Sequence, residues 1–205
     1  MNLPTKLTVL RIFMIPAFVV FFLLDDVVPH NRLIALILFA VASATDFLDG
    51  YIARKYNLVT DLGKFLDPIA DKLLVNAAAI LFVYDTYAYS PKLLGMSMLI
   101  ITLIFVSREM IISAFRLIAV GKNVVLAADK LGKLKTISQM FGIIIVLLAT
   151  YIKADAAEYI LYTGLGLLYF AAFMSVLSCT NYIFKNTSVL RTEPKPQEVK
   201  VSEAQ

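Results

Sequence analysis

Tryptophan is absent, and cysteine and histidine occur once each in 205 residues. Cys179 can close no intrachain disulfide and can found no multi-cysteine metal site. The lone His30 falls in a polar segment between apolar runs, so proton transfer in any catalytic site is left to carboxylates. Charge is scarce too. Charged residues make up 17% of the chain against 60% hydrophobic, and the mean hydropathy of +0.81 lies outside the range of a soluble domain. The net charge is only +4 and sits mainly between apolar runs, which points to membrane topology and away from a nucleic-acid partner.

What is abundant is long apolar sequence. Six runs, Leu7 to Leu24, Leu33 to Ala53, Phe65 to Tyr84, Leu93 to Phe115, Ile137 to Ile152 and Tyr159 to Phe184, lie near the roughly 20 residues that cross a bilayer. Backbone facing lipid must satisfy its own hydrogen bonds, so each run is predicted helical. The fold class is an all-α integral membrane protein with six transmembrane helices and a short N-terminal interfacial segment. Residues 1–185 form the membrane domain, and the polar, proline-containing stretch 186–205 reads as a disordered cytoplasmic tail. Lys6 and Arg11 ahead of an apolar stretch imitate a secretory signal, but Asp25, Asp26 and Val27 stand where small residues would be cleaved, so the segment is read as retained. Only Arg32, Lys92 and Lys153 fall in the first, third and fifth connections, which places both termini in the cytoplasm of a multi-pass cell-membrane protein.

Four carboxylates break the apolar pattern. Asp46 and Asp49, three apart, share a face near the cytoplasmic end of the second span, and Asp67 and Asp71, four apart, share one at the start of the third. A rise of about 1.5 Å per residue puts Asp46 and Asp71 each about 10 Å inside their helix ends, so all four are expected to converge. Left unneutralised, they would cost on the order of 10 kcal/mol at about 3 each. Two divalent cations would match the charge, and hard oxygen ligands without histidine or thiolate favour Mg²⁺ or Mn²⁺. Such a metal pair suits a pyrophosphate. The plainer alternative is that the aspartates cap helices or pair with Arg54, Lys55, Lys64 and Lys72.

The run DFLDGYIARKYNLVTDLGKFLDPIAD resembles in full the signature of the CDP-alcohol phosphotransferase family, with Asp46, Asp49, Gly50, Ala53, Arg54, Gly63, Asp67 and Asp71 at its fixed positions. The resemblance implies transfer of a phosphatidyl group from CDP-diacylglycerol to an alcohol, with membrane lipids around a homodimer. It implies Asp46 and Asp67 as ligands bridging both metals, Asp49 serving one, and Asp71 serving the other and acting as base. It also implies a nucleotide site. Gly50 and Ala53 would let the nucleotide approach their helix, although small residues also serve plain helix packing. The planar fork of Arg54 suits the pyrophosphate, or else anchors the span at the interface. Thr60 and Gly63 would lie in a loop over the cleft, and Asn2, Thr8 and Arg11 resemble elements that open related chains.

The acceptor is addressed by a second set of charges. Arg108 and Glu109 lie about 10 Å inside the fourth span, Arg116 follows two turns beyond Arg108, and the connection ADKLGKLKT supplies Lys130, Lys133 and Lys135. These cations are expected to form a pocket for a phosphate on the acceptor. A structural Arg108–Glu109 pair with topological lysines is the competing reading. NLPTKLTVLRIFMIP, REMIISAFR and GKLKT further resemble bacterial family members whose acceptor is sn-glycerol 3-phosphate. That likeness assigns the phosphate to Arg108, Arg116, Lys133 and Lys135, with Glu109 orienting an arginine. Direct in-line attack needs fewer assumptions than a covalent aspartyl intermediate. Inositol phosphate or phosphatidylglycerol as acceptor is the alternative, and a divalent-cation transporter or a scaffold is a remote one.

Overall fold

The computed structural model describes residues 2–24, 27–56, 60–122, 124, 130–152 and 156–187. Six helices account for nearly all of these: α1 (Leu3–Leu23), α2 (Asn31–Lys55), α3 (Asp61–Tyr89), α4 (Lys92–Gly121), α5 (Lys130–Tyr151) and α6 (Ala156–Lys185). Among the described residues five helices are long and apolar enough to cross a membrane. The sixth, α3, has the length at 29 residues but begins with Asp61, Lys64, Asp67, Asp71 and Lys72. The 30-residue helices α4 and α6 rise about 45 Å, more than the hydrocarbon core is thick, so they tilt or emerge from it.

Helix ends are set locally. Pro4 lies in the first turn of α1, where its missing N–H costs nothing, and α1 starts at Leu3, so the expected interfacial lead continues the first helix without a break. Thr60 caps α3, its Oγ1 accepting from the Gly63 N–H at 3.1 Å. Before α2, His30 has φ 57°, the left-handed region, and is the only non-glycine residue described there. The helices overrun the apolar runs because hydropathy marks only the lipid-embedded part. α5 begins at Lys130 and not near Ile137, which moves Lys133 and Lys135 from a connection onto a helix. The tail beyond Thr187 lies outside the described residues, as do the side chains of Ala53, Arg54, Lys64 and Lys130.

Short connections make hairpins of α1–α2, α3–α4 and α5–α6, and α1–α3, α2–α5 and α4–α6 contacts close them into a bundle. Phe18, Phe22, Phe39 and Phe82 form an aromatic centre, with Phe18 and Phe39 ring centroids 5.6 Å apart. Met98, Phe105, Ile143, Leu147 and Leu168 extend it. The outer faces remain apolar, with Phe13, Leu93 and Leu117 over 70% exposed, as helices bathed in lipid require. α5 and α6 come closest at Gly142 and Gly164: a Cβ on Gly164 would lie 2.9 Å from the Val146 backbone nitrogen.

Polar side chains gather at the two ends. At one, Arg32 pairs with Asp85 at 2.8 Å and stacks over Phe22. The other end, where α2, α4 and α6 finish and α1, α3 and α5 start, holds every residue of the sequence-derived site.

Candidate active site

Asp46 and Asp49 face α1 from the last third of α2, and the group that meets them is Arg11. Its guanidinium has no solvent exposure, donates from Nη1 to Asp46 Oδ1 and from Nη2 to Asp49 Oδ2, both at 2.6 Å, and from Nε to the Ala42 carbonyl at 3.1 Å. Thr8, one turn earlier on the same face, reaches across to α3. Its hydroxyl makes a short hydrogen bond to Asp67 Oδ1 and lies 3.5 Å from Asp49 Oδ2. Three of the four aspartates are thus tied together through α1. Asp71 is within Coulombic range of Asp46 and of Glu109, and lines a cavity on its other side.

Four carboxylates on two adjacent helices suit a hard divalent cation in donor chemistry. Among the described residues no three carboxylate, histidine or cysteine side chains are grouped closely enough to hold one as they stand, and the Asp46, Asp49 and Asp67 oxygens are engaged instead by Arg11 and Thr8, which a bound cation would have to replace. Of the cations in the alternative pairing, the side chains of Arg54 and Lys64 lie outside the described residues. Lys72 turns its Nζ to Ser113 Oγ at 2.5 Å, and Lys55 lies over the Tyr56 ring.

The residues expected to hold the nucleotide divide into four pairs by position. Arg11 and Thr8 are in the aspartate cluster. Thr60 and Gly63, expected in a loop, are instead the cap and first turn of α3. Thr60 also shares a 2.8 Å hydrogen bond with Thr5, and a side chain on Gly63 would meet Thr60 Oγ1 at 3.0 Å. Gly50 continues the α2 face beyond Asp49, and Asn2, exposed, begins α1 with its carbonyl accepting from the Lys6 N–H. The Ala53 and Arg54 side chains lie outside the described residues.

Beside Asp71 a cavity of about 430 Å³ opens between α3, α4, α5 and α6. Arg108, Glu109 and Arg116 line it from α4 and Lys133 from α5, as expected. Arg108 Nη2 donates to Ser178 Oγ at 3.2 Å, crossing α5 where Gly132 offers no side chain: a Cβ there would lie 2.9 Å from that nitrogen. Arg116 Nε donates to the Tyr182 hydroxyl at 3.4 Å. Lys135 departs from expectation. It is 1% exposed, lies behind the wall, donates to Glu109 Oε1 at 2.9 Å and sits 5.2 Å from the Phe105 ring centre. Glu109 therefore orients a lysine. Lys72, Ser113 and Tyr182 also line the cavity. In the sequence Lys72 stands only as a possible partner of the aspartates, and Ser113 and Tyr182 lie unremarked inside apolar runs. The available signal was position, since Ser113 lies one turn from Glu109 and Tyr182 lies at the depth of Arg116.

The family model for CDP-alcohol phosphatidyltransferases matches residues 1–177. The chain is 38% identical to the CDP-diacylglycerol–glycerol-3-phosphate 3-phosphatidyltransferase of Bacillus subtilis, over 93% of this chain and 98% of that protein. It is 38% identical to the protein of the same name from Rickettsia typhi, over 88% and 94%, and 35% identical to that of Escherichia coli K12, over 89% and 93%. Six helices that bring the aspartates of the motif to one end of the bundle, and a match along nearly the whole length, lead to one conclusion: the chain belongs to the CDP-alcohol phosphatidyltransferase family.

Proposed function

We propose that this chain transfers the phosphatidyl group of CDP-diacylglycerol to sn-glycerol 3-phosphate, giving phosphatidylglycerophosphate and CMP. The observation that carries the reading is the junction at Asp71, where the aspartate cluster meets a cavity lined by Lys72, Arg108, Arg116 and Lys133. The names of the relatives from three organisms agree with it.

The acceptor phosphate is held in the cavity by these cations, which leaves its hydroxyl to approach Asp71. Asp71 takes the hydroxyl proton. The hydroxyl oxygen then bonds to the phosphorus carrying diacylglycerol, while the bond from that phosphorus to the bridging oxygen breaks and CMP departs with the electron pair. The family is generally divalent-metal dependent, and we assign Asp46, Asp49, Asp67 and Asp71 to two Mg²⁺ ions, with Mn²⁺ as a substitute. Bound there, the ions would offset charge on the pyrophosphate and on the leaving oxygen. Gly50, Ala53, Arg54, Thr60, Gly63 and Asn2 complete the nucleotide side of this assignment. Both termini and the site face the cytoplasm, and the working unit is a homodimer.

The test is CMP release by the purified protein in lipid–detergent micelles with CDP-diacylglycerol and Mg²⁺. Glycerol 3-phosphate is expected to stimulate release where serine, inositol phosphate and phosphatidylglycerol do not, and Asp71→Asn to lower the rate at least about 100-fold. Stimulation by a different acceptor would replace the acceptor and leave the site.

A further inference from the structure

Resting on the proposed acceptor, we infer that Lys72 is a phosphate-binding residue of the acceptor site, set in place by Ser113, and that it makes the cavity selective for a phosphorylated alcohol. Lys72 follows Asp71 in α3 but occupies a different face, about 100° around the helix. Asp71 borders the aspartates, whereas Lys72 turns to α4. Its Nζ donates to Ser113 Oγ at 2.5 Å, and that hydroxyl donates its proton to the Glu109 carbonyl at 2.6 Å. Ser113 has therefore no proton left with which to meet an acceptor, and its function toward Lys72 is to fix the ammonium. An ammonium carries three donors, of which Ser113 takes one, and Lys72 is among the residues that line the cavity.

Charge defines what the cavity takes. Lys72, Arg108, Arg116 and Lys133 line it with four positive charges, and Asp71 and Glu109 with two negative ones. The positive surplus suits a phosphate monoester, which near neutral pH carries about −1.5 to −2. Lys135, buried behind the wall, offsets the charge of Glu109, so the four lining cations carry the surplus. Without Lys72 the surplus falls by one charge, and the α3 side of the cavity retains only a carboxylate.

The experiment compares the wild type with Lys72→Gln, Lys72→Arg and Ser113→Ala, measuring KM for glycerol 3-phosphate and KM for CDP-diacylglycerol separately. Lys72→Gln is expected to raise the acceptor KM at least about tenfold, the size of one charge-assisted hydrogen bond, with the KM for CDP-diacylglycerol unchanged. Lys72→Arg should recover most of that loss, and Ser113→Ala should raise the acceptor KM alone, by a smaller factor. Thermal unfolding verifies that each variant is folded. An unchanged acceptor KM in folded Lys72→Gln, or an equal rise for both substrates, overturns the inference. If Lys72→Gln does not fold, an unchanged acceptor KM in Ser113→Ala does so. A wild type that ignores glycerol 3-phosphate fails earlier, before any variant is compared, and removes the acceptor reading together with this one.

Discussion

Arg11 has its guanidinium wholly inside the protein, a position that a charge holds only with ionised partners and full hydrogen bonding. Asp49, 3% exposed, is the stronger partner, because Asp46 at 37% remains screened by solvent. Arg11→Met would leave Asp49 buried without its cation, at a cost of about 3 kcal/mol or more. Melting in EDTA is expected to fall sharply for this variant, and Mg²⁺ should restore part of the loss by supplying the missing charge. An unchanged melting temperature in EDTA would show that the ion pair bears no structural weight. The same reasoning separates two lysines that look alike in sequence. Lys133 and Lys135 are two apart on α5, a spacing that puts them on different faces, so one lines the cavity and the other enters the core beside Phe105. Composition and spacing identified both as cations near the site. Their separation depended on the rotation of a helix whose first turns hydropathy had assigned to a connection.

Elements hold the site through how closely they approach. At Gly164 a side chain would meet the Val146 backbone nitrogen at 2.9 Å and its Cγ2 at 2.7 Å, and a backbone atom cannot be displaced cheaply. Gly164→Leu is therefore expected to destabilise the protein by about 1–3 kcal/mol through overpacking, while Gly166→Ala, with nothing within 4 Å, should be neutral; thermal unfolding in micelles compares the two. Helix existence was legible from apolar run length, and all six expected spans have a helix. Helix ends were less so. Thr60 and Gly63 read as a loop because α3 opens with charged residues, yet a threonine three residues before a free backbone N–H is a cap, and the helix starts there. The aspartate pairs were legible because three- and four-residue spacings fix a shared face. Their partner Arg11 was not, since nothing local in a sequence says which helix will lie beside which.

For the whole molecule, six helices joined as hairpins put the start of α1 and the end of α6 at one end of the bundle, together with the cavity and the aspartates. The cytoplasmic placement proposed for that side, from the distribution of Lys and Arg, is open to a direct test. In a Cys179→Ala background, a cysteine replacing Lys92 should react with a membrane-impermeant maleimide on intact cells, and one replacing Lys185 only after lysis; the opposite pattern would invert the topology. One feature of the arrangement bears on the order of synthesis. The four aspartates and Arg11 lie on α1, α2 and α3, but the cavity needs Lys133 from α5 and Tyr182 from α6. A ribosome that has released only four helices into the membrane has produced the acidic cluster and no enclosed place for the acceptor. The cavity is completed only by the final hairpin, so a nascent chain gains the proposed acceptor site at the last stage of insertion.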